Sequence, residues 1–180
     1  MLSENNYYRV FQFINNNPGA HFRQIKKEMN LSIGTTQYQL NKLEKDGKIA
    51  SIRKRFYKCY FPNGIFKENE KEILQILSHR SLRQILLYII EKKNPTKNEI
   101  VNDLKISYSS MNWHISRLLS YNMIIEIKDD GKHTRYSINP YFINVSDIIK
   151  LLQQHYSDIW NSWANRLAEL FLVLSNEDGK

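Results

Sequence analysis

Apolar positions recur along this chain at two spacings, and the changes between them mark out its elements. Between Asn5 and Asn16, Tyr8, Val10, Phe11, Phe13 and Ile14 keep the three-to-four-residue beat of a helix with one apolar face. A short second helix is predicted from His21 to Met29, after the turn Asn17-Pro18-Gly19. A third follows, with Ser32 as its N-cap and Asp46-Gly47 as its stop. Then the period shortens. "IASIR" and "FYKCYF" are β-prone runs joined by Arg53, Lys54 and Arg55, which predicts a hairpin with a basic tip.

The pattern occurs twice. Ile25 aligns with Ile100, Met29 with Leu104 and Ser32 with Ser107. The register then runs without a gap through Leu40 and Ile115, Leu43 and Leu118, to Ile52 and Ile127. Each copy reads helix, helix, helix, hairpin, so two related small domains stand in tandem. In the second hairpin the tip is "KDDGKH", with Asp130-Gly131 as the turn, and its strands are expected to set Ile125 and Ile127 opposite Tyr136 and Ile138. This gives a mainly α, α+β architecture. Residues 1–66 and 67–143 form the two domains, and residues 144–180 a C-terminal segment.

That last segment reads as one long helix from Asn144 to Ser175. Ile148, Leu152, Tyr156, Ile159, Trp163, Leu167, Leu170 and Leu174 make one stripe, and Ile149, Trp160, Ala164 and Phe171 make its neighbour. So wide an apolar face suits an interface core. The expected assembly is a homodimer joined through Leu152, Tyr156, Ile159, Trp160, Trp163, Leu167, Leu170, Phe171 and Leu174. The competing reading folds this helix back on its own domain.

Charge sharpens the picture. The 180 residues carry a formal net charge of +8. Residues 1–66 hold 11 Lys/Arg against 4 Asp/Glu, a net of +7, whereas residues 145–180 hold 3 against 5, a net of −2. A positive field concentrated in the first third favours polyanion partners through counterion release. No apolar run approaches the ~18 residues of a membrane span, and "MLSENNYYRV" lacks the layout of a secretory signal. These features predict a cytoplasmic protein. The lone cysteine, Cys59, excludes an internal disulfide and reads as a strand residue without redox work. The five histidines, His21, His79, His114, His133 and His155, show no ligand spacing, so neither metal nor cofactor is expected. No phosphate-cradling glycine loop, HExxH or serine elbow is present, and an enzyme is not expected.

The third helix of each copy carries the candidate chemistry. Thr36, Leu40 and Leu43 share one face and are expected to pack inward. Gly34, Thr35, Gln37, Tyr38, Asn41 and Lys42 share the other. Gly and Thr are poor helix formers, but small residues let a helix end approach a DNA groove. Gln can pair two edge atoms of adenine, and Thr can meet a thymine methyl. Helix–turn–helix followed by a hairpin is the winged-helix arrangement, with the third helix in the major groove and the wing on the flanking backbone. Arg53, Lys54 and Arg55 would be the first wing's phosphate contacts. In the second copy Ser109, Ser110, Asn112, Trp113, Ser116 and Arg117 take the helix positions, with Lys132 at the wing. "NPGAHFRQIKKEMNLSIGTTQYQLNKLEKDGKI" and the second copy through "NMI" resemble archaeal tandem winged-helix transcriptional regulators, related to the ArsR and MarR groups. The resemblance implies sequence-specific binding of double-stranded DNA. A dimer would then ask for a palindromic site. The alternative is a protein-assembly scaffold that uses the same surfaces to bind partner proteins.

Overall fold

Caps and apolar stripes make the local structure, and the sheet positions it. The computed structural model describes residues 2–54, 57–128 and 133–177, with the side chains of 2–4, 54, 167 and 169–177 outside that description. The chain divides by contact into residues 1–79 and residues 80–180.

In the first unit, α1 (Leu2–Asn16) leads through β1 (Ala20–His21) into α2 (Phe22–Met29) and α3 (Ile33–Lys45). The hairpin β2 (Ile49–Lys54) and β3 (Tyr57–Pro62) follows, then α4 (Glu68–Leu77). The strands form one antiparallel sheet in the order β1-β3-β2, with Ala20 opposite Tyr60 and Ile49 opposite Pro62. Val10, Ile14, Ile25, Leu40, Leu43, Ile49 and Tyr60 meet in the core. Burial of each such side chain stabilises the unit by about 1.5–3 kcal/mol before entropy is counted. Tyr8 departs from expectation: it is 64% exposed, while Tyr7 packs against the core and donates its hydroxyl to Asp46 Oδ2 at 2.7 Å. Arg53 and Lys54 lie in β2 rather than at the hairpin tip. Arg55 and Phe56 fall outside the described residues.

The glycine of the first turn has a steric cause. Gly19 has φ +88°, and a Cβ there would stand 2.7 Å from the Leu74 carbonyl oxygen. That close approach ties α4 to the first unit. The division therefore falls after His79, not after residue 66.

The second unit repeats the first. Its α5 (Arg80–Lys92), α6 (Lys97–Leu104), α7 (Tyr108–Ser120), β4 (Ile124–Lys128) and β5 (Thr134–Ile138) mirror α1, α2, α3 and the hairpin. α6 and α7 have the lengths of α2 and α3 and stand at the same offset from them. Asn30 and Lys105, both at φ 52°, close α2 and α6 in the left-handed region. The hairpin register differs from expectation. Ile125 faces Ser137, Ile127 faces Arg135, Tyr136 faces Glu126 and Ile138 faces Ile124. A one-residue slip moves every side chain to the other face, and the observed register buries Ile124 and Tyr136 while leaving Ile127 exposed.

The C-terminal segment is two helices, α8 (Val145–His155) and α9 (Ser157–Glu177), and both belong to the second unit. Tyr156, at φ −140° and ψ 48°, leaves the helical region, and the Arg83 guanidinium lies 5.3 Å from its ring centroid. Ile148, Leu151 and Leu152 of α8 and Trp163 of α9 are buried within the chain itself. Leu152 and Trp163 are thus part of the chain's own core and are not interface residues. Tyr156, Ile159 and Trp160 are half-buried. Leu167, Leu170, Phe171 and Leu174 have side chains outside the described set.

Candidate nucleic-acid interface

The third helix of the first unit is fixed by its inner face. Thr36, Leu40 and Leu43 are fully buried, and the Thr36 hydroxyl donates to the Ser32 carbonyl at 2.8 Å. Ser32 Oγ caps the helix by accepting from the Thr35 N–H at 3.1 Å, and it also meets the Thr35 hydroxyl at 2.8 Å. Removing such a cap costs about 1 kcal/mol. The outer face is left in two exposed rows at i,i+4 spacing: Ile33, Gln37 and Asn41, and Gly34, Tyr38 and Lys42. Thr35 is half-buried beside them.

Three details suit this face to a polar, anionic partner. A Cβ on Gly34 would meet nothing within 4 Å, so no internal contact requires glycine there. Gln37 Nε2 donates to Asn41 Oδ1 at 2.7 Å, which orders two amides side by side. The Lys42 ammonium stands 5.0 Å from the centroid of the Tyr7 ring. Burial, then the hydrogen bond to Asp46, pushes the Tyr7 hydroxyl up to about 12, so it stays a donor.

In the adjoining wing, Glu44 sorts the cations. It takes the Lys58 ammonium at 2.9 Å and the Ser51 hydroxyl. Arg53, opposite Lys58 in the sheet, is exposed. Lys54 is described by its backbone alone.

The second unit builds the same frame with different chemistry. Ser107 Oγ accepts from the Ser110 N–H at 3.3 Å and caps α7. Ser109, Ser110, Asn112, Trp113 and Ser116 are exposed. Arg117 is not. It is 4% exposed, with its guanidinium 5.1 Å from the Trp113 ring centroid, so it is withdrawn from any partner. Long cationic side chains can bury their length against an aromatic, and here the head goes in as well. His114 is also buried, and burial, then Arg117, holds its imidazole below the ordinary range. Lys132 lies outside the described residues.

Several contributors were not read from the sequence. Ile33, 66% exposed, sits at the head of the Gln37–Asn41 row, and its i,i+4 spacing was the available signal. Tyr108 holds the same place on α7 and donates its hydroxyl to Asn98 Oδ1 at 3.0 Å. Tyr7 as a platform for Lys42, and Glu44 as the partner of Lys58, depend on tertiary contacts. Among the described residues, no group of three His, Cys, Asp or Glu is placed to hold a metal ion, and no helix is long and apolar enough to cross a membrane.

Residues 5–74 match the family model described as HTH_HVO_0163_N, N-terminal HTH domain. The match runs from α1 into α4, so the first unit carries a helix–turn–helix domain. The uncharacterized HTH-type transcriptional regulator MJ1398 of Methanocaldococcus jannaschii is 25% identical over 131 residues, covering 72% of this chain and 32% of that relative. The chain therefore spans about a third of the length of the archaeal relative it resembles. A chain from the solved "Structure of the ESCRT-II endosomal trafficking complex" aligns at a TM-score of 0.29 and 14% identity, covering 78% of this chain and 66% of that one. At that score the likeness carries no argument about shape or role.

Proposed function

We propose that the chain is a sequence-specific, double-stranded-DNA-binding transcriptional regulator, with α3 in the major groove and the β2–β3 wing on the adjoining backbone. One observation carries the reading. A helix locked into the core by Thr36, Leu40 and Leu43 presents two open rows of amide, aromatic and cationic side chains. Gln37, with Asn41 beside it, offers a paired donor and acceptor of the kind that reads adenine, worth about 1–3 kcal/mol of discrimination. Lys42 and Arg53 supply phosphate contacts that hold the register without reading sequence. The helix–turn–helix match and the archaeal relative support the same assignment. The second unit binds DNA more weakly in this reading, because the described outer face of α7 is uncharged.

Fluorescence anisotropy against mixed duplexes tests it. Affinity should fall steeply with salt, by about 0.9 in the logarithmic slope for each phosphate neutralised. Arg53→Ala should flatten that slope by about one, while Gln37→Ala should keep the slope and change the preferred sequence. No binding at low salt would overturn the proposal and leave protein partners as the occupants of α3. The same reading takes the chain as a homodimer on a palindromic site, joined through the part of α9 not committed to its own core. A light-scattering mass of one chain would remove the dimer and leave groove binding untouched.

A further inference from the structure

We propose that a cleft between α5, α6 and α9 of the second unit binds a small planar ring compound carrying an amide- or lactam-type acceptor and donor. The cleft encloses about 280 Å³, near the low end for ligand pockets and suited to one or two rings. None of its lining residues belongs to α7 or to a wing, so the site goes beyond the DNA-binding reading and does not depend on it.

Its walls and polar groups select the ligand. Leu87, Leu104, Ile159 and the Trp163 indole give apolar surfaces that favour a flat, carbon-rich body. Trp163 is 3% exposed, yet its Nε1–H finds no acceptor among the described residues. A buried indole N–H ordinarily has a partner, because leaving a desolvated donor unpaired is costly. A carbonyl oxygen or a ring nitrogen would answer it.

The remaining lining groups narrow the charge. Tyr88 donates its hydroxyl to Asp103 Oδ2 at 2.6 Å, so that donor is already used. Arg166 reaches Glu91 Oε2 at 3.4 Å, which offsets its charge. Asp158 is exposed at the opening and, as a carboxylate, only accepts. It repels an anion and invites an N–H. Ser162 and Gln84 can serve either way. An acceptor for Trp163 together with a donor for Asp158 describes a primary amide or lactam on an aromatic ring, and a carboxylate supplies only the first.

The experiment uses the full chain labelled with nitrogen-15. Its three tryptophans give separate indole N–H resonances, and Trp163→Phe identifies the relevant one. Millimolar benzamide should move the Trp163 resonance and leave that of Trp113 in place. Benzoate should bind about tenfold more weakly, a difference of about 1.4 kcal/mol. Asp158→Ala, which removes the acceptor at an exposed position, should weaken benzamide several-fold. A Trp163 resonance unmoved by benzamide would overturn the proposal. So would equal binding of benzoate, or an Asp158→Ala protein that binds benzamide as tightly as the parent. The readout involves no DNA, so this proposal and the groove-binding reading fail separately.

Discussion

Lys42 on α3 and Arg117 on α7 occupy one place in the repeat, and the two units use it in opposite ways. In the first unit the ammonium is exposed over the Tyr7 ring, a side chain brought by another helix. In the second the guanidinium is buried against Trp113, one turn earlier on its own helix. The backbones around them match: serine caps both helices, and left-handed Asn30 and Lys105 end the helices before them. Thr36 and Met111 are both buried, as are Leu40 and Ile115. The difference therefore lies in side-chain placement on a shared frame. One helix leaves its cation exposed, and the other uses its cation in packing. A duplicated fold can keep its geometry while one copy withdraws from its surface the charge that the other exposes.

The most damaging way to break this comparison is to remove both cations. Arg117→Ala should destabilise the second unit by roughly 2–4 kcal/mol, since a long buried side chain leaves a cavity beside Trp113. It should change the salt slope of DNA binding little. Lys42→Ala should stay within about 0.5 kcal/mol of the parent in stability, and it should lower the slope by about one for every duplex. Urea unfolding followed by tryptophan fluorescence isolates the second unit, because Trp113, Trp160 and Trp163 all lie in residues 80–180. If Arg117→Ala weakens DNA binding and leaves that transition unmoved, Arg117 is a DNA contact and not a packing residue.

That inversion was not legible in the sequence, and the reason is physical. Periodicity placed the helix caps, the buried Leu40 and Leu43 and the repeat itself, because those depend on local spacing. It also put Arg117 on the outer face, since spacing gives the direction of a Cβ but not where a long side chain ends. The second hairpin's register depends on the length of its tip, and a single residue there reverses the faces. The break at Tyr156 has no proline or glycine to announce it. β1 is two residues long and exists only through its pairing with Tyr60 and Cys59. α4 was readable in the spacing of Ile73, Leu74, Ile76 and Leu77, and its counterpart after the second hairpin is α8, where Ile148, Leu151 and Leu152 are buried at the positions of Ile73, Ile76 and Leu77. For the candidate interface, the outer rows of α3 were visible in advance. The sorting of Lys58 from Arg53 by Glu44 was not.

A smaller effect sharpens the same comparison through the neighbouring pair. Gln39 and His114 hold one repeat position, and both are buried. Only the histidine is titratable. Burial, then the Arg117 charge, lowers its pKa from the ordinary 6.5, so the folded unit takes up a proton less readily than the unfolded chain. Above pH 6.5 both states hold a neutral imidazole and this group adds no pH dependence. As pH falls below that value, the unfolded chain binds the proton first, and stability declines until the folded-state pKa is passed. The urea midpoint of the second unit should therefore fall as the pH is taken below 6.5. His114→Gln, which installs the residue of the first unit, should remove His114's share of that drop. Arg117→Ala should shrink the drop without abolishing it, because burial, the larger cause, persists. A midpoint equally acid-sensitive with and without His114 would show that the exchange of glutamine for histidine between the two copies has no bearing on their relative stability.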